Sequence, residues 1–381
     1  MSFDLDYLRT HEFPLTAECA FMNHAGSSPL PQRSADALKH YADRAQTKHL
    51  RYVAGAPDHD CEPLRRTLAD AINCEPSEIT FVPSTCDGVS IAAGGIDWRP
   101  GDNVVLPECE YPGAVYPWLN LVRRGVEVRL TPAPLGQVDL EAAISRIDSR
   151  TRAVSISHVE WSSGYLVDVV HLGRLCRPRG ILLVVDAIQS LGVTRVDVQE
   201  MQADVLVAGC YKWLLGIPGV AVMYVRRDVM PRLLPDRAGQ EGVKTSMLAR
   251  PELVWKDDAM RYQVGGDCTA ALVVLESSLE LLLGSGVEQT HSHILGLLDR
   301  LIAGLQRAGL TITSSLAPEE RSTILSFTTG DATRDEALHK SLLAQNVITS
   351  LRPHGIRVAP HVYNAPDDID ALLRGLRSTA A

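Results

Sequence analysis

Seven short runs of continuous apolar, often β-branched residues punctuate the chain, at 79–82, 104–106, 126–130, 153–157, 182–185, 205–208 and 220–225. Continuous apolarity, in place of period-two alternation, marks strands buried on both faces of a sheet. Between the runs lie stretches with helical spacing, such as Leu140, Ala143, Ile144 and Ile147. Strands alternating with helices predict an α/β core around a mainly parallel seven-stranded sheet.

Beyond about residue 260 the texture changes. Long helical patterns cover 270–283 and 287–308, short strands follow at 323–327 and 347–351, and a last helix covers 367–377. The chain has 381 residues, more than one core usually organises. The expected division is a large α/β domain over 15–258 and a smaller α+β domain over 259–381, joined by an N-terminal segment, 1–14. The boundary segment, 235–262, holds Pro235, Gly239, Gly242 and Pro251.

Composition narrows the function classes. A net charge of -9 disfavours a nucleic-acid or acidic-membrane surface. Met1-Ser2-Phe3-Asp4-Leu5-Asp6 lacks the basic-then-apolar layout of a signal peptide, and no apolar stretch nears the ~20 residues of a membrane span. No pair of the eight cysteines has CxxC spacing, which suits reduced, partly buried thiols and a cytoplasmic protein. His291 and His293 point to different faces of a helix, so an exposed surface is expected there and no metal site. No P-loop or GxGxxG turn is present, which weighs against a nicotinamide dehydrogenase.

The chemistry gathers at strand ends, where open α/β sheets collect ligands. Asp186 closes the run 182–185, Gln189 follows three residues later, and Lys212 sits in the loop after the next strand. A lysine amine that binds an aromatic aldehyde as a Schiff base, an acid for the ring nitrogen and an amide for the ring oxygen fit pyridoxal 5′-phosphate (PLP). Asp186 alone reads equally as a helix cap. A phosphate cradle is expected at Phe81-Val82-Pro83-Ser84-Thr85-Cys86-Asp87-Gly88, a strand running into a helix start, where a plain Ser/Thr cap is the competing reading. Tyr111 follows another strand and either stacks on the ring or packs.

These stretches, with 21–26, 110–118, 158–164, 209–219 and 357–364, resemble the class V aminotransferase family of PLP fold type I. That group includes cysteine desulfurases, selenocysteine lyase, kynureninase and isopenicillin N epimerase, and the epimerase-like branch is the nearest through 110–112, 212–216 and 363–364. The resemblance implies Lys212 as the Schiff-base lysine, Asp186 and Gln189 as ring partners, and Tyr111 over the ring. It places Ser84, Thr85, Cys86 and Tyr211 at the phosphate. Gly266 falls in a Gly-Thr motif that reaches the neighbouring subunit's phosphate, although Gly265-Gly266-Asp267 lacks the threonine. Arg357 corresponds to the arginine that pairs with a substrate carboxylate, while Trp161 and His24 fall on the substrate side. A homodimer with active sites at the interface is implied.

Gly209 stands where desulfurases carry a phosphate-binding serine, and Ser350-Leu351-Arg352-Pro353-His354-Gly355-Ile356-Arg357 carries no nucleophilic cysteine. The expected chemistry is Cα-proton abstraction from an α-amino acid, leading to transamination or to β-elimination of the carbon–sulfur-lyase type. Epimerisation or oxidative deamination on the same scaffold is the alternative, and a non-catalytic regulator is more distant.

Overall fold

The two-residue strand β1 (Ala20–Phe21) precedes the strands of the central sheet: β2 (Ile79–Val82), β3 (Asn103–Pro107), β4 (Glu127–Thr131), β5 (Thr151–Ser157), β6 (Leu182–Asp186), β7 (Val205–Gly209) and β8 (Ala221–Val225). The computed structural model describes residues 4–47, 60–244, 252–266 and 268–378. Strand order is β2-β8-β7-β6-β5-β3-β4; β8 runs antiparallel to both neighbours and the other pairs are parallel. Every expected apolar run becomes a strand within two residues of its expected ends.

Opposite faces of these strands feed different cores. Leu183, Val185, Leu206 and Ala208 pack with Leu64, Leu68 and Leu275 on one side. Val184, Val205, Val207 and Met223 pack with Val89 and Ala92 on the other. Burying both faces is what the continuous apolar runs require. The edge strand β4 is the exception, with Glu127 and Leu130 exposed. The helix Thr85–Gly95 lies close against β7, because a Cβ on Gly88 would stand 2.5 Å from Val207. That approach brings the helix N-terminus to the strand ends.

In the C-terminal part, β9 (Thr311–Ile312), β10 (Leu325–Thr328), β12 (Ser350–Arg352) and β13 (Gly355–Val358) form an antiparallel sheet in the order β12-β13-β10-β9. The remaining strand, β11 (Val347–Ile348), pairs in parallel with β1. The expected single strand 347–351 is thus divided between two sheets, because its first half meets the N-terminal segment. Asn23 and Ala359 extend that junction as a further bridge.

His291 and His293 do project from different sides of the helix Val287–Arg307, but both are half-buried. His291 Nδ1 donates to Val193 O at 2.9 Å and His293 Nε2 to Asn364 O at 2.8 Å. The exposed-surface expectation fails because this helix packs against the chain on both flanks. Among the described residues no single helix is long and apolar enough to cross a membrane.

Candidate active site

Asp186 and Lys212 lie at the carboxyl ends of β6 and just beyond β7, both buried. Burial pushes the Asp186 carboxyl up and the Lys212 amine down, while their mutual attraction works against both shifts. Arg357 and Arg352 push the lysine down further. The turn after Lys212 is tight: Leu215 N donates to Lys212 O at 2.9 Å and Leu215 adopts φ 56°, a left-handed conformation unusual for leucine. Ser28 Oγ also donates to Lys212 O, at 2.6 Å, so the lysine backbone is pinned from the N-terminal segment.

Two tyrosines flank the amine. Lys212 Nζ stands 5.8 Å from the Tyr111 ring centroid and 5.7 Å from that of Tyr211. Gln189 is fixed below, its Oε1 accepting from Trp213 Nε1 at 2.8 Å and its Nε2 donating to Ala25 O at 3.0 Å.

At the expected phosphate turn the two hydroxyls behave differently. Ser84 accepts from Asp87 N at 3.1 Å and donates to Asp87 Oδ2 at 2.7 Å, so its hydroxyl is consumed as a helix cap. Thr85 Oγ1 accepts from Gly209 N at 2.9 Å, which leaves its own hydrogen to donate. Ser84 therefore follows the capping reading, while Thr85 keeps a hydroxyl hydrogen to donate. Cys86 is exposed beside them, close enough to Gly113 that a Cβ there would stand 2.3 Å from its Sγ.

Arg357 closes the other side. Its guanidinium is almost wholly buried, donating to Trp161 O at 2.5 Å and Asn23 Oδ1 at 3.2 Å, with Nε unpartnered among the described residues. No described carboxylate lies within 4.0 Å of it. Burial, then Arg352, lowers its pKa to about 9. Trp161 is held by its indole donating to Cys109 O at 2.9 Å; its ring meets Tyr111 edge-on at 5.6 Å and carries Arg352 at 5.8 Å.

Two expected site residues stand apart from this cavity. His24 is 0 % exposed, donates from Nδ1 to Ala359 O at 2.8 Å and meets Tyr363 Oη with Nε2 at 2.9 Å. Both ring nitrogens are occupied and burial keeps the ring neutral, so His24 is packed under the site and has no nitrogen for a substrate. Gly266 is exposed with nothing within 4 Å of a Cβ, beside a cleft of about 120 Å³ that also touches Pro83, Gly219 and Arg237. Its motif partner Asp267 lies outside the described residues.

The comparison with known families decides what this arrangement is: residues 20–372 match the family described as aminotransferase class-V. The chain belongs to the class-V aminotransferase family. Its similar proteins include an uncharacterised aminotransferase of Schizosaccharomyces pombe, 29% identical over 83% of this chain and 81% of that one. A probable cysteine desulfurase of Methanothermobacter thermautotrophicus is 27% identical over 98% of this chain and 99% of its own. Among solved structures, the cystine C-S lyase C-DES in complex with cysteine persulfide superposes with a TM-score of 0.87 at 24% identity, covering 96% of this chain and 99% of that one. The fold is PLP fold type I, and the protein is a PLP-dependent class-V enzyme.

The residues present fit that cofactor. A buried lysine opposite a buried acid, an amide with a hydrogen to spare, a free threonine hydrogen and the N-terminus of an 11-residue helix supply the complementary donors. Three contributors escaped the sequence reading. Asn23 orients Arg357. Glu160 accepts from Ser162 and Ser163 through Oε2 while Oε1 stays unpartnered, and its charge supports Arg357. Arg352 was the findable one. It pairs across the hairpin with Gly355, as Ser350 does with Arg357, so period-two alternation puts both arginines on one face.

Proposed function

We propose that this class-V enzyme removes the Cα proton of an α-amino acid and completes either transamination or β-elimination of the carbon–sulfur-lyase type. One observation carries the reading: a buried lysine, electrostatically paired with a buried aspartate, lies near a buried arginine that has no described carboxylate within 4.0 Å and only the longer-range charge of Glu160. A buried cation without a directly paired carboxylate is costly. A substrate carboxylate binding it bidentately removes that cost.

When bound, PLP supplies an electron sink for the pair left at Cα. Lys212 Nζ would be the amine that attaches the cofactor and takes the Cα proton; burial and the two arginines favour its neutral, basic form. Asp186 would pair with the ring nitrogen, Gln189 would donate to the ring oxygen, and Thr85 with Tyr211 and the free helix amides would hold the phosphate. Tyr111 would cover the ring and, with Trp161, help to shield the reacting face from water. Lys212 would then give the proton up again, to the departing sulfur where the outcome is elimination.

A persulfide-forming desulfurase is the weaker reading. The β12–β13 hairpin carries no cysteine, and Cys86, whose thiol interacts electrostatically with Lys212, is shifted upward by burial and Asp186. A nucleophilic thiol needs the opposite shift. We further propose a homodimer, supported by the exposed Tyr111, Tyr116, Leu119 and Val122 along one surface; sedimentation of an active monomer would overturn it. Incubation with cysteine conjugates and with ordinary amino acids, with and without a keto acid, separates the two outcomes. Pyruvate, thiol and ammonia without an acceptor mean elimination; strict keto-acid dependence means transamination; neither product from any amino acid sinks the proposal.

A further inference from the structure

We infer that Trp213 is a positioning residue that sets the polarity of Gln189, so that an N–H and not a carbonyl is offered to the oxygen on the cofactor ring. The inference rests on the functional reading above and adds a residue that touches neither substrate nor cofactor.

A carboxamide has a donor end and an acceptor end of nearly equal shape, so a lone glutamine can present either. Here the neighbours leave no choice. An indole nitrogen only donates, so the Gln189 atom 2.8 Å from Trp213 Nε1 must be the oxygen. A backbone carbonyl only accepts, so the Gln189 atom 3.0 Å from Ala25 O must be the nitrogen. The two constraints agree. One of the two hydrogens on Nε2 is then used on Ala25, and the other has no acceptor among the described residues.

Trp213 is itself held. It is 0 % exposed, and its carbonyl accepts from His361 Nε2 at 3.1 Å. His361 Nδ1 in turn accepts from Val362 N at 2.7 Å, and the imidazole stays neutral because burial lowers its pKa to about 4. The indole packs 5.4 Å from the His361 ring and 6.1 Å from the His24 ring. His24 is locked in turn by Ala359 O and Tyr363 Oη. This explains why a buried histidine pair lies under the cavity without facing it: it braces the tryptophan that orients the glutamine. The residue directly after the lysine thus links the position of Nζ to the polarity of the amide.

A donor at the ring oxygen stabilises its anionic form, so weakening that donor raises the pH at which the visible band of the lysine-bound cofactor titrates. Trp213→Phe removes the indole N–H; Ala25 still favours the same orientation, so the expected rise is about half to one pH unit. Gln189→Ala should raise the midpoint at least as far. The double variant should titrate like Gln189→Ala alone, because Trp213 acts through the amide. A Trp213→Phe midpoint equal to wild type, or a shift that adds fully to that of Gln189→Ala, would overturn the inference. If Trp213→Phe fails to fold, β-(3-benzothienyl)alanine at position 213 keeps the shape and lacks only the N–H, and the same cycle is measured on it. Absence of any lysine-dependent visible band in the wild type, judged against Lys212→Ala, would instead overturn the functional reading itself.

Discussion

The two buried cation sites of the cavity are built on opposite principles. Lys212 faces Asp186, and both sit at ends of neighbouring strands of one sheet. Arg357 faces a backbone carbonyl and a neutral amide, and its surroundings come from three distant parts of the chain. The first site is electrostatically answered within the fold. The second has no carboxylate within 4.0 Å among the described residues and is answered only at longer range, by the charge of Glu160. A permanent occupant calls for a complete pocket, whereas a substrate that comes and goes is best met by a group that the empty protein leaves unsatisfied.

The comparison breaks first at Lys212. Lys212→Ala should abolish the visible absorption of the bound cofactor and lower turnover by a factor on the order of 10⁴ or more; a retained, pH-sensitive band would remove Lys212 from its role. Arg357→Ala should raise KM for α-amino acids by roughly 30-fold or more while leaving the band in place. Because it also removes an unpaired buried charge, Arg357→Met should hold or raise Tm in the absence of substrate. A falling Tm would mean that the guanidinium is structural. Arg352→Ala should shift the lysine titration upward, since the arginine field lowers it now, with a KM change of less than about ten-fold.

Glu110 gives a pH test of the cavity floor. Its carboxyl accepts from Ser157 N at 2.6 Å and Ser157 Oγ at 2.5 Å, and burial raises its pKa to about 8. The folded state thus binds the proton more tightly than the unfolded chain. Its contribution is complete below the unfolded carboxylate range and is lost as pH rises toward 8, on the order of a few kcal/mol. Glu110→Gln should flatten stability between about pH 4.5 and 8 in a denaturant titration; an unchanged slope would contradict the burial argument. The smallest contrast is at the phosphate turn. Ser84→Ala should cost about 1 kcal/mol of stability as a lost cap, whereas Thr85→Ala should chiefly weaken cofactor retention on dialysis.

The same contrast explains what could be read in the sequence. Asp186, Gln189 and Lys212 stand out as candidates, and fold close together, because buried parallel strands leave continuous apolar runs and ligands collect where those runs stop. Ser84 was ambiguous because a helix cap and an anion site use the same residue at the same place; only the partner, Asp87, distinguishes them. His24 was misplaced because its neighbours Ala359 and Tyr363 arrive from the other end of the chain. Asn23 was missed for the same reason, while Arg352 left a trace in the hairpin alternation. Local pattern reveals what one segment builds, and contacts between remote segments leave no periodicity to read.

The junction of β1 with β11 sets an order of events for a new polypeptide. Asn23 reaches Arg357 across 334 positions of sequence, and Ala25, which holds Gln189, lies in the same early stretch. On a ribosome this N-terminal ribbon must stay unpaired until almost the whole protein has emerged, long after the central sheet can close. A chain interrupted before residue 347 would therefore carry Lys212 but lack both Arg357 and the strand that pairs with β1. The surroundings of Arg357 are completed last, when the two ends of the chain meet.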